Sequence, residues 1–128
     1  MNAEGAIRAA ILASAPVTAL VGTRVYPMML PQAPTFPAIV YQRISTVPDM
    51  LVEGPGFAPI RIQLSMWAST FDGARTLADA VVTALHGYHG GELRLSRLIN
   101  LLDDYEPDTK LFRVIADFRV HHTQGVAA

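Results

Sequence analysis

Two stretches of regular alternation constrain the fold more than anything else in the chain. Over residues 60–67, Ile60, Ile62, Leu64 and Met66 alternate with Arg61, Gln63 and Ser65. Over residues 110–122, Phe112, Val114, Ala116, Phe118 and Val120 alternate with Arg113, Asp117 and Arg119. A period of two sends successive side chains to opposite faces of a strand. Both segments therefore read as strands with one buried and one polar face. That pattern favours an antiparallel sheet whose apolar side is covered by helices.

The covering helices are legible too. Ala74, Leu77, Ala78, Val81 and Leu85 recur at helical spacing, with Ser69 or Thr70 as cap, Asp72 in the first turn and Gly87 at the end. An earlier helix has Asn2 as its cap, Glu4 in its first turn and Ile7, Ala10, Ile11 and Ser14 on one face. Pro16 ends it or opens the next turn, and Gly22 closes a short apolar turn of Val17, Leu20 and Val21. Val25 and Tyr26 form a short extended piece. Pro27, Pro31, Pro34 and Pro37 then rule out a helix or a central strand, leaving an extended arm or a long hairpin loop.

Residues 38–45, with Ile39, Val40, Tyr41 and Ile44, read as a strand. Residues 46–58 read as a loop marked by Pro48, Gly54, Pro55 and Gly56. Residues 92–102 read as a strand with a bulge near 96–97, because Leu98 breaks the phase of Leu93 and Leu95. A turn over 103–109 leads into the last strand, and residues 123–128 read as a frayed tail. The expectation is one α+β domain over residues 1–128, with a single antiparallel or mixed sheet and two main helices on one face.

Composition argues against several functions. Charged residues are 16% of the chain and hydrophobic ones 51%, with a net charge of −1. A charge fraction below the usual quarter points either to surface covered by a partner or to alanine richness. Lys110 is the sole lysine and the arginines are scattered, so the clustered basic footprint of a nucleic-acid-binding domain is missing. There is no cysteine, hence no disulfide framework. Glu4 and Arg8 interrupt the first apolar run, which argues against a signal peptide, and no stretch reaches the ~18 apolar residues of a membrane span.

Chemistry-bearing patterns are equally sparse. His86 and His89 lie three apart, and adjacent His121 and His122 point to opposite faces, short of the three or four converging ligands zinc needs. Asp103, Asp104, Glu106 and Asp108 surround Pro107 without the glycine of a calcium loop. Neither glycine pair has phosphate-binding spacing, no serine sits in a nucleophile elbow, and Asp72 and Asp79 make no acid/base pair. The expectation is no catalytic site, no cofactor and no metal.

Three features suggest a protein-binding surface instead. Met28, Met29 and Leu30, and likewise Met50, Leu51 and Val52, place apolar triplets in long loops, where they either anchor a neighbour or fold over the domain's own core. Trp67 lies on the polar side of its strand, as an interface hot spot or as a strand-end residue packed under a helix or loop. Arg43, Arg61, Arg113 and Arg119 are expected to project from the polar sheet face.

The order of these segments resembles the tail-completion, or tail terminator, family of long-tailed bacteriophages and phage-like gene transfer agents. The carriers are V-G-T-R-V-Y-P at 21–27, P-A-I-V-Y-Q-R-I-S at 37–45, R-I-Q-L-S-M-W-A at 61–68, A-R-T-L-A-D-A-V at 74–81 and D-F-R-V-H at 117–121. The resemblance implies a non-catalytic virion protein assembled in the bacterial host cytoplasm. Protomers would form a ring, commonly a hexamer, that caps the head-proximal end of the tail tube, stops its growth and meets the head connector. DNA would pass through that ring without sequence-specific binding. Interface expectations fall on Met28–Leu30 and residues 50–52, with Asp103, Asp104 and Glu106 as a protruding hairpin. The arginine-bearing face would line the channel. Alternatives are another head-tail connector or minor tail protein, or a homo-oligomeric small-molecule-binding domain marked by an apolar pocket with convergent polar groups.

Overall fold

The computed structural model describes residues 3–46, 59–88 and 93–122. The triplet Met50, Leu51 and Val52 and the residues 123–128 lie outside them. The chain runs α1 (Ala3–Leu12), α2 (Ala15–Val21), β1 (Val25–Pro27), β2 (Ala38–Thr46), β3 (Pro59–Ala68), α3 (Phe71–Leu85), β4 (Leu93–Glu106) and β5 (Leu111–His122). The five strands form one mixed sheet in the order β1-β2-β3-β5-β4. All pairs are antiparallel except β1 with β2. The fold is α+β, as the alternation predicts.

The two alternating strands sit side by side at the centre of the sheet. Ile62, Leu64 and Met66 of β3 and Val114, Ala116, Phe118 and Val120 of β5 are completely buried. The helices supply Ile7 and Ile11 from α1, Val17 and Val21 from α2, and Leu77, Val81 and Leu85 from α3 to the same cluster. Each large side chain so buried stabilises the fold by roughly 1.5–3 kcal/mol. The α3 cap forms as predicted, with Thr70 Oγ1 accepting the Gly73 N–H at 3.0 Å. Gly73 keeps room for that oxygen, since a Cβ there would lie 2.9 Å from it and 3.3 Å from the Ala68 Cβ.

Four expectations about the backbone change. The apolar turn before Gly22 is a seven-residue helix, α2, ended by Gly22 at φ 60°. The proline arm is not a hairpin loop, because β1 runs parallel to β2 with Val25 opposite Ile39. Parallel neighbours need a connection that carries the chain back to its starting level, and the arm over residues 28–37 does this without a helix because β1 is only three residues long.

The acidic stretch is strand rather than turn. β4 continues through Glu106, and the turn is confined to residues 107–110. Cross-strand pairs hold the extension, with Asp104 opposite Arg113 and Tyr105 opposite Phe112. The bulge expected near 96–97 is replaced by register shifts between Leu93 and Leu95 and between Leu98 and Asn100. The second shift lets Leu98 and Leu101 both stand opposite core residues, Phe118 and Ala116.

Candidate assembly surface

The helices cover one face of the sheet, and strand register arranges the other face into rows. One row is Ala38, Trp67, Arg113 and Asp104 across β2, β3, β5 and β4. The next is Val40, Ser65, Ile115 and Leu102, then Gln42, Gln63, Asp117 and Asn100. The last is Arg61, Arg119 and Arg97 across β3, β5 and β4.

Of the sequence-predicted residues, Met28–Leu30, Trp67 and Arg113 come together at the β1 end of this face. Met28, Met29 and Leu30 line one side of a cleft of about 250 Å³ that Trp67 and Arg113 line as well. Val40, Gln42, Gln63 and Ser65 complete it. Trp67 is half-buried, with the Arg113 guanidinium 4.7 Å above its ring, a geometry that favours cation–π attraction. Arg113 also holds Asp104, its Nε lying 3.2 Å from Oδ2. The tryptophan is thus braced by side chains of its own face rather than covered by a helix.

Met28 and Met29 are 65% and 74% exposed, so neither folds over the domain's core. Their backbone is unusual. Met28 has φ 69°, and the Met29 N–H reaches back to the Pro27 carbonyl at 2.7 Å. Such three-residue turns are rare and strained, and a non-glycine residue held there costs about 1–3 kcal/mol. The Met28 N–H donates to the Tyr41 carbonyl at 2.9 Å, which fixes the turn to β2. Two exposed methionines are therefore displayed by a constrained backbone.

The acidic residues do not form one tip. Asp103 lies on the helix-covered side, accepting from Arg75 of α3 at 3.1 Å, whereas Asp104 lies on the open side with Arg113. Glu106 accepts the Asp108 N–H at 3.2 Å and braces the turn. Alternation along a strand separates what proximity in sequence suggested.

The Asp104–Arg113 hydrogen bond holds the Asp104 carboxyl below the ordinary aspartate range, reinforced by charge attraction. A depressed pKa contributes stability that is present above the unfolded-state value and is lost as pH falls through the folded-state value. Asp104→Asn is expected to lower the urea midpoint at pH 7, with the gap from the wild type closing as pH falls through the aspartate range. A gap independent of pH would remove the ion pair as its cause.

The arginines need one correction. Arg43 does not project from the open face. It pairs in register with Ile62 on the core side, and its Nε donates to Glu4 of α1 at 3.0 Å. The alternation Ile39, Tyr41, Arg43 carries it there, at the margin of the helix layer. Arg61 is on the open face as expected, 3.0 Å from Asp117, which also accepts from Gln63 at 3.2 Å. Arg119 is exposed on the same face.

Arg97 joins that row and was missed by sequence reasoning, because the shifts along β4 decide which residue meets Arg119. Also missed was the apolar character of the β4 edge, where Ile99, Leu101, Leu102 and Tyr105 are 37–46% exposed. His86 is structural, its Nδ1 accepting the Leu98 N–H at 3.1 Å. No group of three or more metal-binding side chains occurs among the described residues. A second cleft, of about 300 Å³, is bordered by Pro27, Met28 and the Glu4–Arg43 ion pair.

The sequence model of the family described as "Tail completion protein gp17" matches residues 5–123. The chain belongs to that family. It is a phage tail structural protein. No curated protein sequence gives a significant match. Among solved structures, a chain of the "Virion of native gene transfer agent (GTA) particle" superimposes with a TM-score of 0.71 at 21% identity, covering 94% of this chain and 93% of that one. The likeness extends the α+β fold to a protein of a phage-like particle.

The tail-completion motif at 21–27 has a physical reading. Gly22 ends α2 with positive φ. Arg24 then donates through Nε to the Pro37 carbonyl at 3.0 Å and through Nη2 to the Leu20 carbonyl at 3.1 Å. One side chain thereby ties the end of α2 to the far end of the proline arm. Val25 enters the core and Pro27 opens the strained methionine turn.

Proposed function

We propose that copies of this chain assemble head to tail into a ring, most simply a hexamer, at the head-proximal end of the tail. The ring caps the tail tube, ends tube polymerisation and presents a surface to the head connector. The observation that carries this reading is the placement of apolar surface at the two opposite edges of one sheet. Met28 and Met29 stand at the β1 edge, and Ile99, Leu101 and Leu102 stand at the β4 edge. One chain cannot bring these edges together, whereas a heterologous contact repeated around an axis joins them and closes. Closure also covers the sheet edges that otherwise invite uncontrolled pairing.

Met28–Leu30, Trp67 and residues 50–52 belong to the subunit and inter-ring contacts, with Asp103, Asp104 and Glu106 near the end of the long hairpin. The open face, carrying Arg61, Arg113 and Arg119, turns toward the channel through which DNA passes without sequence-specific recognition. The protein's place is the virion, assembled in the host cytoplasm. Membership of the tail completion family and the likeness to a gene transfer agent virion protein support this reading.

Electron microscopy of particles made without the gene tests it. Overlong tails lacking heads are the expected result. Normal tails joined to heads would overturn the proposal, and tails of correct length that fail to join heads would assign the protein to the connector instead.

A further inference from the structure

The last row of the open face is electrostatically unbalanced. Arg61, Arg119 and Arg97 stand directly opposite one another on β3, β5 and β4. Neighbouring strands are ~4.8 Å apart, and like charges opposite one another destabilise a sheet. Only Arg61 has an acidic partner, Asp117, in the adjacent row. Arg97 and Arg119 are exposed and have no acidic partner among the described residues. The Arg61 Nε is buried and without a hydrogen-bond partner. On the far side of the row lies His121, and the face's other acids, Asp104 and Glu106, are at the opposite end of β4. A nearly neutral chain with few charges thus gathers three arginines in one line.

We infer that this row is a contact for the phosphodiester backbone of duplex DNA. Arginine forks match phosphate oxygens and hold their charge at any physiological pH. The row beside it is Gln42, Gln63, Asp117 and Asn100, a polar floor without the apolar anchor that a protein hot spot requires. Such a surface suits a hydrated polyanion. No aromatic side chain of the described residues lies in the row, so it lacks the stacking platform on which single strands are held. The open sheet face offers no helix to enter a groove, so the contact reads charge and not sequence. The inference deepens the channel-facing assignment of this face and rests on it for its biological setting, but the binding belongs to the single protomer.

The test is fluorescence anisotropy with a labelled 20-base-pair duplex of mixed sequence, using the full-length protein at concentrations where light scattering reports a monomer. Weak binding with a log–log salt slope of about −2 to −3 is expected, the value for two to three neutralised phosphates. Arg97→Gln combined with Arg119→Gln should reduce the slope by about 2 and weaken binding at least tenfold at low salt. Arg75→Gln, on the helix face, should leave it unchanged. Thermal melts establish that the double variant is folded, and removing the facing charges should leave its melting temperature equal or higher at low salt.

No binding at 20 mM salt would overturn the inference. So would an unchanged slope in the double variant, or tighter binding of the corresponding single strand. Inorganic phosphate that displaces the duplex only through its ionic strength is the expected control; specific competition at equal ionic strength would identify a free-phosphate site instead. Because the assay uses monomers, its failure is separate from failure of the ring, which particle microscopy reads.

Discussion

Met29→Asp will leave a folded monomer and prevent the ring from closing. Met29 is 74% exposed, so the substitution removes no core contact. Its cost falls at the subunit boundary, where a carboxylate placed against apolar surface must be desolvated without a partner, a penalty of several kcal/mol repeated at every interface. Particles carrying the variant should show overlong tails, as in the absence of the protein, while the purified chain keeps its circular dichroism spectrum and melting temperature. Rings that still form would show that the methionine turn lies outside the interface. A companion variant sharpens the result. Met28→Gly relieves the strain of φ 69° and should raise the monomer's stability by about 1 kcal/mol while weakening assembly. Stability and assembly moving in opposite directions is the mark of a backbone held under strain for a contact made elsewhere.

Arg24→Met will cost about 3 kcal/mol, since hydrogen bonds to a charged group contribute ~1.5–3 kcal/mol each. Two bonds are lost at once, to the carbonyls of Pro37 and Leu20. Methionine keeps the aliphatic stem and removes only the guanidinium, so packing is nearly conserved. For a domain of this size the loss corresponds to a fall of roughly 10 °C in melting temperature. The arm over residues 28–37 should also become more accessible to protease well below the unfolding transition, because its far end is no longer tied to α2. Arg24→Lys should recover little, since an ammonium lacks the planar fork that reaches two carbonyls in different directions. An unchanged melting temperature with an intact arm would show that the arm is held by other bonds, such as that from the Ile39 N–H to the Arg24 carbonyl.

The central strands, the buried faces of α1 and α3 and the α3 cap were legible because each arises from a period or a local hydrogen bond, whereas α2 was read only as an apolar turn. Ile62, Leu64 and Met66 could only share a face, and the cap lay with Ser69 or Thr70, of which the structure selects Thr70. The proline arm was recognised as irregular from its missing donors, but its parallel connection was not, since nothing in residues 28–37 states which strand β1 will pair with. Arg43 was misplaced because its strand carries no clean polar alternation, and Arg97 was overlooked because two register shifts in β4 choose its neighbour. The acidic run looked like a turn by composition, yet pairing with β5 at Arg113 and Phe112 outweighs local propensity.

By itself the sequence determined the α+β class, the buried faces, the lack of recognisable catalytic motifs and the resemblance that the tail completion family match bears out. These depend on residue type and on short-range periodicity, which survive without knowledge of neighbours. Only the tertiary structure decided that Met28–Leu30 and Trp67 share one cleft, that Asp103 and Asp104 part to opposite faces, and that three arginines form a row. Each is a relation between strands, and register between strands is set by the closing of the whole sheet rather than by any single segment.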